Sequence, residues 1–99
     1  DVGGFTNPAG ATLTLSDGAG SGLPDNAILV SGTFQPTNVG GGDAFPGPAP
    51  APAGTSALSV FDGTDPPGTW SLYVVDDRAS AGTGSFAGGW SLELSVLIP

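Results

Sequence analysis

The sequence predicts an all-β protein, an antiparallel β-sandwich or jelly roll of short strands. Three observations carry that expectation. From Trp90 to Ile98 the chain alternates, with Trp90, Leu92, Leu94, Val96 and Ile98 on one face and Ser91, Glu93 and Ser95 on the other, and Leu97 the one apolar exception. A period of two is the signature of a strand with one buried face. No window of the 99 residues combines helical periodicity with capping residues. The 18 glycines and 10 prolines fall between patterned apolar runs, where they read as turns rather than as disorder. A single hairpin cannot bury two tryptophans, so the strands are expected to stack in two layers.

The elements follow in chain order. Ala11 to Ser16, ATLTLS, alternates Leu13 and Leu15 with threonines and reads as a half-buried strand. Asp17-Gly18 opens a glycine-rich turn, DGAGSG, and Leu23-Pro24-Asp25-Asn26 reads as a second turn. Ile28 to Phe34, ILVSGTF, is the next expected strand, and 36–43 a loop with three consecutive glycines at 40–42. Phe45 to Gly54, FPGPAPAPAG, lacks ladder donors at its alternating prolines and favours the extended polyproline conformation. The pieces on either side are too small to be separate domains, so this segment is read as a strap across the surface, not a linker. Ala57 to Phe61, ALSVF, is expected as a short strand closed by the turn residues 62–68.

Two frames follow, GTWSL at 68–72 and GGWSL at 88–92, and they hold the only two tryptophans. Trp70, Leu72 and Val74 share one face, with Ser71, Tyr73 and Val75 on the other. A large aromatic followed two residues later by leucine is what paired strands need to fill one core layer, so the repeat reads as packing. Residues 77–89 form the intervening small-residue loop, with Phe86 its only large apolar side chain.

Length and charge narrow the class. One small domain spanning 1–99 is expected, with 23 Leu, Ile, Val and Phe residues for a modest core and no cysteine to staple it. Nine carboxylates face one base, Arg78, for a formal charge of −8. Nucleic acid and anionic membrane surfaces both require Lys and Arg, so neither is an expected partner. No apolar run is long enough to insert in a membrane as a helix. The acidity suits an extracellular setting, where salt or calcium screens self-repulsion, and equally serves plain solubility.

The catalytic inventory is empty. Without His, Cys or Lys, the serines have no base to activate them, and nitrogen or sulfur metal ligands are excluded. Asp76 and Asp77 are the only adjacent carboxylates, and neighbours on a strand point to opposite faces, which does not suit paired-carboxylate chemistry. GAGSG and GGG lack the Gly-Lys-Ser/Thr ending of a phosphate loop and lead into no helix. No enzyme activity is expected. Calcium is the one ligand the side chains could serve, through Asp62, Asp65, Asp76 and Asp77 together with loop carbonyls. Against it stands turn chemistry, since Asp-Gly favours turns and Asp caps its own backbone, and since Arg78 offers Asp76 and Asp77 a local ion pair. Tyr73, Phe86 and the tryptophans raise a carbohydrate platform, although both tryptophans lie on the apolar side of their segments.

GTWSLYVVDD, then TGSFAGG, then WSLELSV resembles the C-terminal half of the P domain, the β-jelly-roll module that accompanies subtilisin-like proprotein convertases. LPDNAILVSGTFQPTN and ALSVFDGTDPPGTW resemble the bacterial secreted branch in the same order. The likeness spans Leu13 to Ile98 and rests most on Gly68, Trp70, Leu72, Val74, Asp76, Gly84, Gly88, Trp90 and Leu92. It implies a jelly roll, while a shared fold transfers no activity. Since DVGGFTNPAG resembles the middle of such a domain, the first half is expected from another chain, from neighbouring copies by strand addition, or not at all in a reduced sandwich. Three functions fit. The leading one is a non-catalytic structural module of a secreted or cell-surface bacterial protein, self-assembling as an extracellular fibre subunit. The second is an accessory P domain of a secreted subtilisin-like protease or other hydrolase, and the third a calcium-dependent or carbohydrate-binding adhesion module. The expected partners are accordingly other copies or the rest of a parent protein.

Overall fold

A computed structural model describes residues 2–3, 9–41, 43–65, 68–75 and 84–96. Its regular structure lies early in the chain. Strand β1, Leu13–Leu15, pairs with β2, Gly32–Phe34, in register Leu13 to Gly32, Thr14 to Thr33 and Leu15 to Phe34. Both lie within segments read as strands, Ala11 to Ser16 from its alternation and Ile28 to Phe34 as an apolar run, but the pair is parallel. Parallel pairing needs a crossover of roughly a dozen residues or more, and the connection over 16–31 is long enough to supply one. An isolated parallel bridge, Gly22 to Gln35, extends the pairing past the end of β2.

Backbone groups bordering this pair are closely matched. Gly32 N–H donates to Thr12 O at 3.1 Å, Ser16 N–H to Phe34 O at 2.9 Å and Gln35 N–H to Ser21 O at 2.8 Å. The Gln35 amide Nε2 donates to Ala19 O at 2.7 Å, which pins the glycine-rich turn to the end of β2. Thr37 Oγ1 accepts from Leu23 N–H and donates to Gln35 O, both at 2.8 Å. A Cβ at position 22 would lie 2.8 Å from Thr37 Oγ1, so any larger residue there has to displace that hydroxyl. At Gly32 the Phe34 ring, two residues along on the same face, leaves a Cβ only 3.1 Å.

Leu58–Phe61 forms one turn of 3-10 helix where a strand is expected from ALSVF. The reason is long-range. The Asp17 carboxylate accepts hydrogen bonds from Leu58 N–H at 2.8 Å and Ser59 N–H at 2.7 Å, satisfying donors that a helical first turn leaves unpaired. Ala57 in the N-cap position has no oxygen with which to do this. Asp62 N–H then donates to Ser59 O at 3.0 Å, and Gly63, at φ 76°, takes the left-handed conformation that turns the chain away.

Packing is thin. Among the described residues no large apolar side chain is fully buried. Leu29, Phe34, Phe45 and Trp70 are half-buried, and most of the remaining large apolar side chains face outward. The accessible surface is 7669 Å², against roughly 5,000 Å² for a compact monomer of this mass. The radius of gyration, 14.7 Å, likewise exceeds the roughly 12.6 Å of a compact chain of this length. Neither 70–75 nor 90–96 forms a strand, although both carry the strand pattern. The described residues thus hold one two-stranded sheet, and their apolar faces are left largely open.

Candidate functional site

Two features stand out among the described residues: an exposed apolar run and a carboxylate clamp. The run is the second tryptophan segment. Trp90 is 50% exposed, Leu92 and Leu94 each 44% and Val96 55%. Sequence alternation predicts one apolar face here, directed at a core, whereas the structure leaves that face open to solvent. The first tryptophan segment behaves differently at its start. Trp70 packs edge-on against Phe61, ring centroids 5.0 Å apart at 71°, while Leu72, Val74 and Val75 beyond it are exposed. Equivalent frames therefore sit in unequal surroundings, because the 3-10 helix brings Phe61 to Trp70 and Trp90 remains half in solvent.

Tyr73 faces the proline strap. With Phe45, Ala49, Pro50, Ala51, Pro52 and Ala53 it lines an open apolar groove of about 340 Å³. The strap is therefore near the polar-side residue of the first tryptophan segment. Phe86, the one large apolar side chain of the loop between the two frames, is 60% exposed.

Asp17 is the residue whose role sequence reasoning missed. It was legible as a turn former, but its carboxylate links β1 to the 3-10 helix across 41 positions. A cleft of about 350 Å³ beside it is lined by Gln35, Pro36, Ser56, Ala57 and Ser59. Both Asp17 oxygens are engaged with backbone donors, so the cleft presents hydroxyl and amide groups instead of a free acid.

The candidate calcium ligands divide between two regions. Asp62 and Asp65 are exposed and flank the turn after the 3-10 helix, where Thr64 N–H donates to Phe61 O at 3.1 Å. Asp76 and Asp77, with Arg78, lie outside the described residues. Among the described residues no three His, Cys, Asp or Glu side chains converge as a metal site, and no helix there is long and apolar enough to cross a membrane.

Comparison with protein-family models, with characterised proteins and with solved structures gives no match. Any functional reading rests on the residues and geometry above.

Proposed function

We propose that this chain is a non-catalytic structural module of a secreted or cell-surface protein, and that further copies of itself cover its open apolar faces. The carrying observation is the exposed run Trp90, Leu92, Leu94 and Val96, a strand pattern without a strand partner among the described residues. Contiguous exposed apolar patches mark interaction surfaces. Backbone donors and acceptors along an unpaired extended segment invite strand addition, and alternating apolar side chains set the register. In this reading the sandwich expected from the sequence is completed between chains. Support for a non-catalytic role comes from the absence of His, Cys and Lys and from the commitment of Asp17 to backbone donors.

A second reading rests on the paired GTWSL and GGWSL frames, which carry the P-domain resemblance. Under it, the same apolar run would dock on the catalytic domain of a parent hydrolase and not on another copy.

Native particle mass tests the first reading, measured by light scattering during size-exclusion chromatography from low to molar salt. Masses at multiples of 9.5 kDa are the expected result. A 9.5 kDa particle at every salt concentration would defeat self-assembly and leave the accessory-domain reading in its place.

A further inference from the structure

We infer that Asp62 is a site of spontaneous backbone modification, closing with Gly63 to a succinimide that reopens to isoaspartate, while the fold holds Asp17 out of the same reaction. The chain contains two Asp-Gly dipeptides, Asp17-Gly18 and Asp62-Gly63, and no Asn-Gly. Glycine leaves its own backbone nitrogen least shielded, because it has no Cβ. By residue type the two dipeptides are equivalent. Their surroundings are not.

The reaction balances with water alone. The Gly63 nitrogen attacks Asp62 Cγ, and a C–N bond forms. The Cγ–OH bond breaks, and the hydroxyl leaves as water with the amide hydrogen. Water then adds to one of the two ring carbonyls. Cleavage of the new Cγ–N bond restores aspartate. Cleavage of the original backbone C–N bond leaves the chain running through Cγ as isoaspartate, at unchanged mass.

At Asp17-Gly18 both reacting groups are held. One carboxylate oxygen accepts from Leu58 N–H at 2.8 Å and the other from Ser59 N–H at 2.7 Å. Gly18 N–H donates to Ser16 Oγ at 3.3 Å. Ring closure there has to give up these bonds, and those to an ionised carboxylate are the stronger kind. At Asp62-Gly63, neither the carboxylate nor the Gly63 N–H has a hydrogen-bond partner among the described residues. Asp62 is exposed, and a Cβ built at Gly63 would meet nothing within 4 Å. At its ψ of 135° the Asp62 side chain is turned away from the Gly63 nitrogen, so closure requires rotation about that bond. The rotation opens only a local turn, held where Thr64 N–H and its hydroxyl donate to Phe61 O.

The test incubates the folded chain for weeks near neutral pH, beside a sample kept unfolded in denaturant. Each sample is then fully unfolded and cut with an endoproteinase that cleaves before aspartate and is blocked by isoaspartate. In the folded sample, cleavage between Phe61 and Asp62 should be lost roughly tenfold faster than between Ser16 and Asp17. In the unfolded sample the two bonds should lose cleavage at similar rates, because only the fold distinguishes them. Equal rates in the folded sample would overturn the protection of Asp17. Full cleavage at Asp62 in the folded chain, with loss in the unfolded one, would overturn Asp62 as the site. Intact mass should show no more than a transient loss of one water; a lasting change would mean a different modification.

Discussion

Residues 11–37 and residues 70–96 make opposite use of similar sequence patterns. The first region meets its needs locally and mainly through polar groups. β1 and β2 pair, Thr37 and Gln35 tie down the neighbouring turns, and the exposed leucines of β1 are few. The second region carries the stronger apolar alternation and forms no strand among its described residues. Backbone hydrogen bonding can be satisfied by whichever neighbour is close, whereas an apolar stripe requires a matching surface of comparable size. The short β1–β2 pair does not provide one.

The largest test of that contrast is Trp90→Ala. Removing a central aromatic anchor should weaken association by about 2 kcal/mol or more, roughly thirtyfold or more in the dissociation constant. The denaturant midpoint of the dilute monomer should remain close to that of the parent, because the Trp90 side chain is already half in solvent. Cooperative unfolding of the dilute monomer by the variant would show instead that Trp90 belongs to a core within the chain.

Gly22→Ala probes the other region. Its new Cβ would meet Thr37 Oγ1 and displace the hydroxyl that holds Leu23 N–H and Gln35 O. A cost of about 1–3 kcal/mol is expected, read by denaturant titration. Particle mass at molar salt should change little, because the apolar run is elsewhere in the sequence.

Asp17→Ala removes the link between β1 and the 3-10 helix, at a cost of about 1–2 kcal/mol by analogy with lost helix caps. Amide hydrogen exchange at Leu58 and Ser59 should accelerate selectively. Asp17→Asn keeps one acceptor oxygen and should restore protection at one of the two amides. Equal protection in all three proteins would remove the clamp from the account.

The smallest effect is expected from Phe61→Leu. It replaces the edge-on contact with Trp70, worth about 0.5–1.5 kcal/mol beyond area burial. Trp70 fluorescence should shift to the red while Trp90 emission stays constant, a difference that a Trp90→Phe background isolates.

Local pattern reached some of this and stopped at identifiable points. Leu13–Leu15 falls inside a segment whose alternation predicts a strand, Gly32–Phe34 at the end of one read as a strand without alternation, and Asp17-Gly18 begins a turn as its residue types favour. ALSVF has β propensity yet turns into a 3-10 helix, since the Asp17 carboxylate rewards that conformation and no ladder competes with it. Residues 90–96 show the limit most clearly. Their alternation announces an apolar face but carries no information about where its cover comes from.

What the amino-acid sequence determined by itself is a matter of inventory and sign. A chain with no His or Cys cannot build a Ser-His or Cys-His pair, and one with nine acids against one arginine repels polyanions in any conformation. Only the tertiary structure decided that β1 and β2 run parallel, that Trp70 finds Phe61 while Trp90 stays half exposed, and that Asp17 reaches Leu58. Those outcomes depend on which distant groups the chain path brings within a few ångströms, and a contact spanning 41 positions leaves no mark on the local residue pattern.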